Sequence, residues 1–229
     1  MSRARDLSDY VSTGVSAAEF DQLDTTSGTP GSGNFLRGDK TWASAGGGIT
    51  GPGSATDNAL VRFDGTGGST AQNSTVVVDD NGHMTNGSQP AFLVQGGNDS
   101  NVTGDATVYA VPFAASEIYD QNADFETSSP STLFTAPVTG RYYLNVHLDL
   151  RGITSSHTTV EVNIVTSNRW HYLITHAGSA TAGAKVIFVG SCLADMDSAD
   201  TAYVRLMVSG DVKVVDVWDQ SYFQGFLVC

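Results

Sequence analysis

From Arg141 to Leu150 the chain alternates strictly. Tyr142, Leu144, Val146, Leu148 and Leu150 fall on one side, and Tyr143, Asn145, His147 and Asp149 on the other. A period of two sends successive side chains to opposite faces, so this segment predicts a strand with a core on one side only. Similar stretches recur at Ala91–Gln95, Val108–Phe113, Thr132–Thr135, Thr159–Thr166, Arg169–Thr175, Lys185–Leu193, Ala202–Val208, Val212–Trp218 and Tyr222–Val228. About ten short strands in so short a region predict an all-β fold, a two-sheet jelly-roll sandwich, and not an α/β enzyme.

The pattern changes near Pro90. Residues 1–89 hold 15 of the 25 glycines and few large apolar residues. Such a segment buries too little apolar area to offset its own chain entropy. It predicts an extended, glycine-rich arm supported by identical chains or by a larger particle. Within it, Leu7, Tyr10 and Val11 have helical spacing. Ser16-Ala17-Ala18-Glu19 fits a capping box, and Phe20 and Leu23 share a face with Ala17. One or two short helices are expected there, too short to stand alone, with apolar faces suited to docking. Gly46-Gly47-Gly48 reads as a hinge. Ser74–Val78 predicts a short strand, and Asp79-Asp80-Asn81-Gly82 a hairpin turn in which Asn-Gly supplies positive φ. The boundaries that follow are an arm over 1–45, a neck over 46–89 and a domain over 90–229.

Charge and composition narrow the function. A net charge of −13 with no basic cluster opposes binding to nucleic acid. No apolar run approaches the length that spans a bilayer, and Arg3 and Arg5 have no apolar region behind them, so neither membrane insertion nor a signal peptide is expected. Cys192 and Cys229 make no disulfide framework; Cys192 reads as a buried thiol and Cys229 as an exposed one, in keeping with a reducing compartment.

Candidate chemistry is sparse. Asp195, Asp197 and Asp200 crowd the segment Ala194–Asp200; a solvated acidic loop is the expectation, with a cation such as Ca²⁺ as the alternative such oxygen ligands allow. Arg37-Gly38-Asp39 reads as turn chemistry. His171 and His176, five apart in a strand, are expected on opposite faces, which argues against shared metal ligation. No Gly-x-Ser-x-Gly elbow or His-Glu-x-x-His is present, and Glu117, Glu126 and Glu161 suggest no catalytic pair. A non-enzymatic protein without cofactors is expected. The aromatics Tyr142, Tyr143, Trp170, Trp218, Tyr222, Phe223 and Phe226 should divide between the sandwich core and a face covered by neighbouring copies.

Two resemblances add to this reading. Pro90-Ala91-Phe92, then Thr132-Leu133-Phe134-Thr135-Ala136-Pro137-Val138-Thr139-Gly140-Arg141-Tyr142-Tyr143-Leu144, then Ser221-Tyr222-Phe223-Gln224-Gly225-Phe226-Leu227 resemble, in order and spacing, the blocks of C1q-like domains of the C1q/TNF superfamily. That resemblance implies a compact homotrimeric jelly roll. Phe134, Tyr142, Leu144, Tyr222, Phe223, Gly225 and Phe226 would lie in its core or trimer interface. No collagen-type stalk with strict period three precedes the domain.

Ser27–Ala43 and Gly51–Gly65, followed by Asp79–Gly82, resemble segments of bacteriophage fibre and other virion proteins. That resemblance implies a protein assembled in the bacterial host cytoplasm and placed on the virion surface. Its arm would anchor it to capsid or tail proteins through Leu7, Tyr10, Val11, Phe20, Leu23, Phe35, Leu36 and Trp42. Two roles compete: capsid decoration or a head fibre, which the short shaft favours, and a short tail fibre whose knob binds a host-surface glycan or protein. A soluble C1q-like lectin is the third reading.

Overall fold

A computed structural model describes residues 34–36, 41–44, 49–128, 132–177 and 185–229. The helices expected over 7–11 and 16–23, the anchor residues Leu7, Tyr10, Val11, Phe20 and Leu23, the tripeptide 37–39 and the glycine hinge lie outside the described residues. The chain divides into two units between Thr85 and Asn86.

In the first unit, β1 (Asn34–Leu36) pairs antiparallel with β2 (Trp42–Ser44), setting Leu36 opposite Trp42. A separate three-stranded sheet holds β3 (Ala59–Phe63), β4 (Ala71–Val78) and β5 (Met84–Asn86). The turn from β4 to β5 differs from the sequence expectation. Gly82 alone takes positive φ (85°), while Asn81 does not. The Asp79 carboxylate makes the turn instead, with Oδ1 accepting from the backbone N–H of Asn81 at 2.9 Å and of His83 at 2.8 Å.

The second unit is an all-β jelly roll. Its strands run β6 (Ala91–Gln95), β7 (Asp99–Thr103), β8 (Val108–Ala110), β9 (Ser116–Gln121), β10 (Phe125–Glu126), β11 (Leu133–Thr135) and β12 (Gly140–Arg151). They continue with β13 (Thr159–Thr166), β14 (Trp170–Ala177), β15 (Val186–Met196), β16 (Thr201–Ser209), β17 (Val215–Val217) and β18 (Tyr222–Leu227). The first sheet is centred on β12. One edge of β12 pairs along its length with β15; the other pairs with β18 and then β17, which lead on to β6, β9 and β7. The second sheet has the order β10-β11-β16-β13-β14, with β8 also on β16.

The inward faces carry the apolar alternation that the sequence predicted. Tyr142, Leu144, Val146, Leu148 and Leu150 of β12 are fully buried, as are Phe92, Val94 and Phe223 from the same sheet. They meet Phe134, Val162, Ile164, Val204, Leu206 and Val208 from the second sheet. Gly225 belongs to this core because a Cβ there would lie 2.6 Å from Leu144 Cδ2 and 2.8 Å from the Phe92 ring. Gly152 has φ +77° and sits where a Cβ would meet the Val214 carbonyl oxygen at 2.2 Å, which fixes the turn leaving β12.

Several strand expectations are corrected. β7, β9 and β10 were not foreseen. The segment from Val212 pairs only over Val215–Val217, because Val214 N–H turns back to the Val212 carbonyl. The strand from Val108 stops at Ala110, shortly before Pro112. β14 carries a bulge at Leu173, since Tyr172 faces Asn163 and Ile174 faces Val162.

Candidate functional site

The alternation that builds the core also decides what the two outer faces present. On the first sheet, Ile187, Val189 and Leu193 of β15 are 40%, 58% and 56% exposed. Beside them, Tyr143 of β12 packs on Phe226 of β18 with ring centroids 5.4 Å apart, and Phe226 is 48% exposed. His147 stacks on Tyr222 at 6.0 Å. Between these rings, Gln224 Nε2 donates to Asn145 Oδ1 and Asn145 Nδ2 to the Gly190 carbonyl, each at 3.1 Å. The face is aliphatic at one edge, aromatic at its centre and tied by amides.

The seven residues singled out in the second unit therefore separate by strand parity. Phe134, Tyr142, Leu144, Phe223 and Gly225 are buried between the sheets, whereas Tyr222 is half-buried and Phe226 exposed on the outer face. Of the residues proposed to anchor the arm, Phe35 is half exposed and Trp42 half-buried.

Asp149 departs from the sequence expectation. Its parity places it on the outer face, yet it is fully buried. Its Oδ2 lies 3.1 Å from Lys185 Nζ and 3.5 Å from an Arg151 guanidinium nitrogen. That guanidinium lies over Trp218, 3.6 Å from the ring centroid. The backbone of Asp149 is held as well, donating to Ser221 Oγ and accepting from Trp218 N–H. No sequence pattern links these four positions.

The acidic cluster does not converge on a cation. Asp195 is in β15 and pairs with Arg169 at 2.7 Å. Asp200 Oδ2 accepts from Asn168 Nδ2 at 2.6 Å and from Asp197 N–H at 2.8 Å. These carboxylates are taken up by protein donors, and among the described residues no three acidic, histidine or cysteine side chains are grouped to hold a metal ion. A cleft of about 260 Å³ lies beside them, lined by Thr139, Arg141, Asn168 and Asp195 among others.

His157 is buried against Thr154 and Asp211. Its Nδ1 accepts from Thr154 N–H at 2.9 Å, and Thr154 Oγ1 donates to Asp211 Oδ2 at 2.6 Å. The Thr154 hydroxyl, followed by the Val212 N–H, holds the Asp211 carboxyl below its ordinary range. The arrangement looks like a relay, but the imidazole is closed off from solvent and clamps the loop between β12 and β13. Burial also raises the Tyr109 hydroxyl, which bonds Asp99, and lowers His171.

Cys192 is half-buried, not fully buried, and burial raises its thiol from 9.0 to about 11. At pH 8 only about one molecule in a thousand would carry the thiolate there. Iodoacetamide at that pH is expected to alkylate the exposed Cys229 first and to leave Cys192 largely unmodified, read by peptide mass. Equal labelling of both would mean that the strand around Cys192 opens readily.

On the second sheet, Trp170 and Tyr172 of the edge strand β14 are 49% and 62% exposed, with ring centroids 6.2 Å apart. Trp170 was expected either in the core or on a covered face, and Tyr172 was not singled out.

Among solved structures, the globular domain of zebrafish complement 1qA protein is similar at 18% identity, over 62% of this chain and 98% of that one, with a TM-score of 0.44. Murine APRIL at pH 8.0 is similar at 11% identity, over 61% and 99%, with a TM-score of 0.43. No curated protein matches the chain in sequence. The family model described as C1q domain matches residues 91–228, more than half of the chain. With its strand order and inward-facing blocks, the chain belongs to the C1q domain family.

Proposed function

We propose that this protein is a homotrimeric, non-enzymatic component of a bacteriophage virion surface, in which the C1q domain forms a knob and residues 1–45 anchor it to the particle. C1q/TNF-like domains typically form homotrimers and are generally non-enzymatic. The observation that carries the trimer is the outer face of the first sheet. Ile187, Val189, Leu193 and Phe226 are left exposed in one chain, with the half-buried Tyr143 between Leu193 and Phe226, a cost that burial against a second and third copy removes. The neck points the same way. Leu60 and Val61 are neighbours in β3, so they project to opposite sides, yet both are exposed, as is Phe63. A small sheet that is apolar on both sides is expected to gain its cover from the same two copies.

The virion placement rests on the fibre-like segments Ser27–Ala43 and Gly51–Gly65. Capsid decoration or a head fibre is the first reading, because 46–89 forms only a short neck between arm and knob. Three tethered arms then grip the particle together without a tight single contact. A short tail fibre that recognises a host-surface receptor is the second reading, favoured by the exposed aromatic pair on the second sheet.

The purified chain is expected to sediment at three times its mass, and Leu193→Asp, which puts a charge into the apolar stripe, to shift it to monomer at micromolar concentration. A wild-type monomer would end the trimer reading. Cryo-electron microscopy of particles with and without the protein tests its location. Threefold density lost from the shell supports decoration, density lost from the tail supports a fibre, and no loss at either place refutes the virion role.

A further inference from the structure

We infer that the outer face of the second sheet carries a binding platform for neutral pyranose rings, built on Trp170 and Tyr172. The inference stands on this sheet and not on the virion reading.

The register defines the platform. Trp170 faces Val165, which faces Tyr203, across β14, β13 and β16; Tyr172 faces Asn163, which faces Arg205, in the next row. The two rings therefore stand side by side on a sheet face, tilted 36° to each other, with more than half of Tyr172 and about half of Trp170 open. Behind them the polar groups are fixed. Arg205, only 8% exposed, has its guanidinium 4.9 Å from the Trp170 centroid and donates to Glu161 Oε2 at 3.1 Å. The Asn163 amide, in the orientation that satisfies both its ends, accepts from Arg205 at 2.8 Å and donates to the Val162 carbonyl. Glu161 lies on the same face of β13, beyond Asn163, and among the described residues the one bond to its carboxylate is that from Arg205 to Oε2, so Oε1 can accept from a hydroxyl.

This combination selects among occupants. Rigid aromatic faces that lose little entropy suit the apolar C–H faces of a sugar, and a few pre-set polar groups suit its hydroxyls. Both arginines near the rings are already neutralised, Arg205 by Glu161 and Arg169 by Asp195, so the surface offers no spare cation to an acidic ligand. The net charge of −13 repels acidic polysaccharide as well. The first sheet is the contrast: its aliphatic stripe has the character of a contact between proteins, while the second has separated rings over a polar floor.

The test is affinity electrophoresis of the full chain through gels containing dextran, mannan or galactan, with polygalacturonate as the acidic comparison. Retardation is expected in at least one neutral gel and not in the acidic one. Trp170→Ala and Tyr172→Ala are each expected to weaken it by about tenfold, the loss of a principal contact. Trp170→Phe, which keeps a ring, should retain most of the effect and controls for folding. Sedimentation of all variants should match wild type. No retardation by any neutral polysaccharide, retardation by the acidic one alone, or full retardation of Trp170→Ala would overturn the inference. A changed sedimentation of Trp170→Ala without polysaccharide would also overturn it, making these rings a contact between copies of the chain.

Discussion

Phe92→Ala is expected to destabilise the C1q domain by about 3–5 kcal/mol, the range for removing a fully buried aromatic ring. Phe92 is 0% exposed and sits at the centre of the aromatic core. Its ring lies 4.7 Å from that of Phe134 and 5.1 Å from those of Phe125 and Phe223, so truncation strips contacts from three other rings. These partners come from β10, β11 and β18, strands of both sheets, and none can close the cavity without leaving its own strand register. Gly225 sharpens the argument. Its missing Cβ is the space that the Phe92 ring edge fills, so Gly225→Ala alone is expected to overpack the core and cost about 1–3 kcal/mol. In the double variant the added methyl partly occupies the vacated space, and its cost should be less than the sum of the two single costs. Urea unfolding at one fixed protein concentration measures all three, since assembly makes apparent stability depend on concentration. A Phe92→Ala cost below about 1 kcal/mol would mean that the rings are loosely packed, contrary to their spacing.

How legible was this fold beforehand? The core of β12 was read directly, because five inward residues repeat at period two and nothing interrupts them. Phe134 and Phe223 were placed in the core or the trimer interface only through the resemblance, and Phe92 was not singled out. The alternation failed where a strand owes its existence to a partner. β9 reads Ser-Glu-Ile-Tyr-Asp-Gln, with both Ile118 and Tyr119 about half exposed, and is a strand because β6 supplies its hydrogen bonds. β7 has only Val102 and Thr103 buried, and forms against β17. Propensity is weak in such edge strands, and context decides. The outer faces were legible in parity but not in cover. Tyr143 was placed on the face away from the core, Trp170 and Phe226 were left undivided between core and interface, and only the tertiary arrangement shows which rings lie side by side. The acidic segment was expected to be a solvated loop, with a cation site as the alternative. Spacing brought Asp195, Asp197 and Asp200 together, but Arg169 and Asn168 arrive from another part of the chain and take their oxygens.

Asp149 is the position that parity misjudged most, and its energetics should be lopsided. The carboxylate is wholly buried, while the Lys185 and Arg151 side chains that face it are 47% and 36% exposed. Removing the acid leaves two cations that can turn to water. Removing both cations leaves a buried charge with nothing to offset its lost hydration, and among the described residues neither carboxylate oxygen has a hydrogen-bond donor. The Lys185→Met/Arg151→Met double variant is therefore expected to lose about 3–5 kcal/mol, the usual penalty for stranding one member of a buried pair. Asp149→Asn alone should lose only about 1 kcal/mol, because the amide keeps the shape and an acceptor oxygen. Adding Asp149→Asn to the double variant should then recover most of the loss, since the stranded charge is gone and the side chain at position 151 still covers Trp218. The same urea experiment reads the cycle. If Asp149→Asn costs as much as the double variant, or fails to rescue it, the pair acts through packing against Trp218 and not through the cost of an uncompensated charge. That outcome would move the weight of the site from the carboxylate to the guanidinium stacked 3.6 Å above the indole.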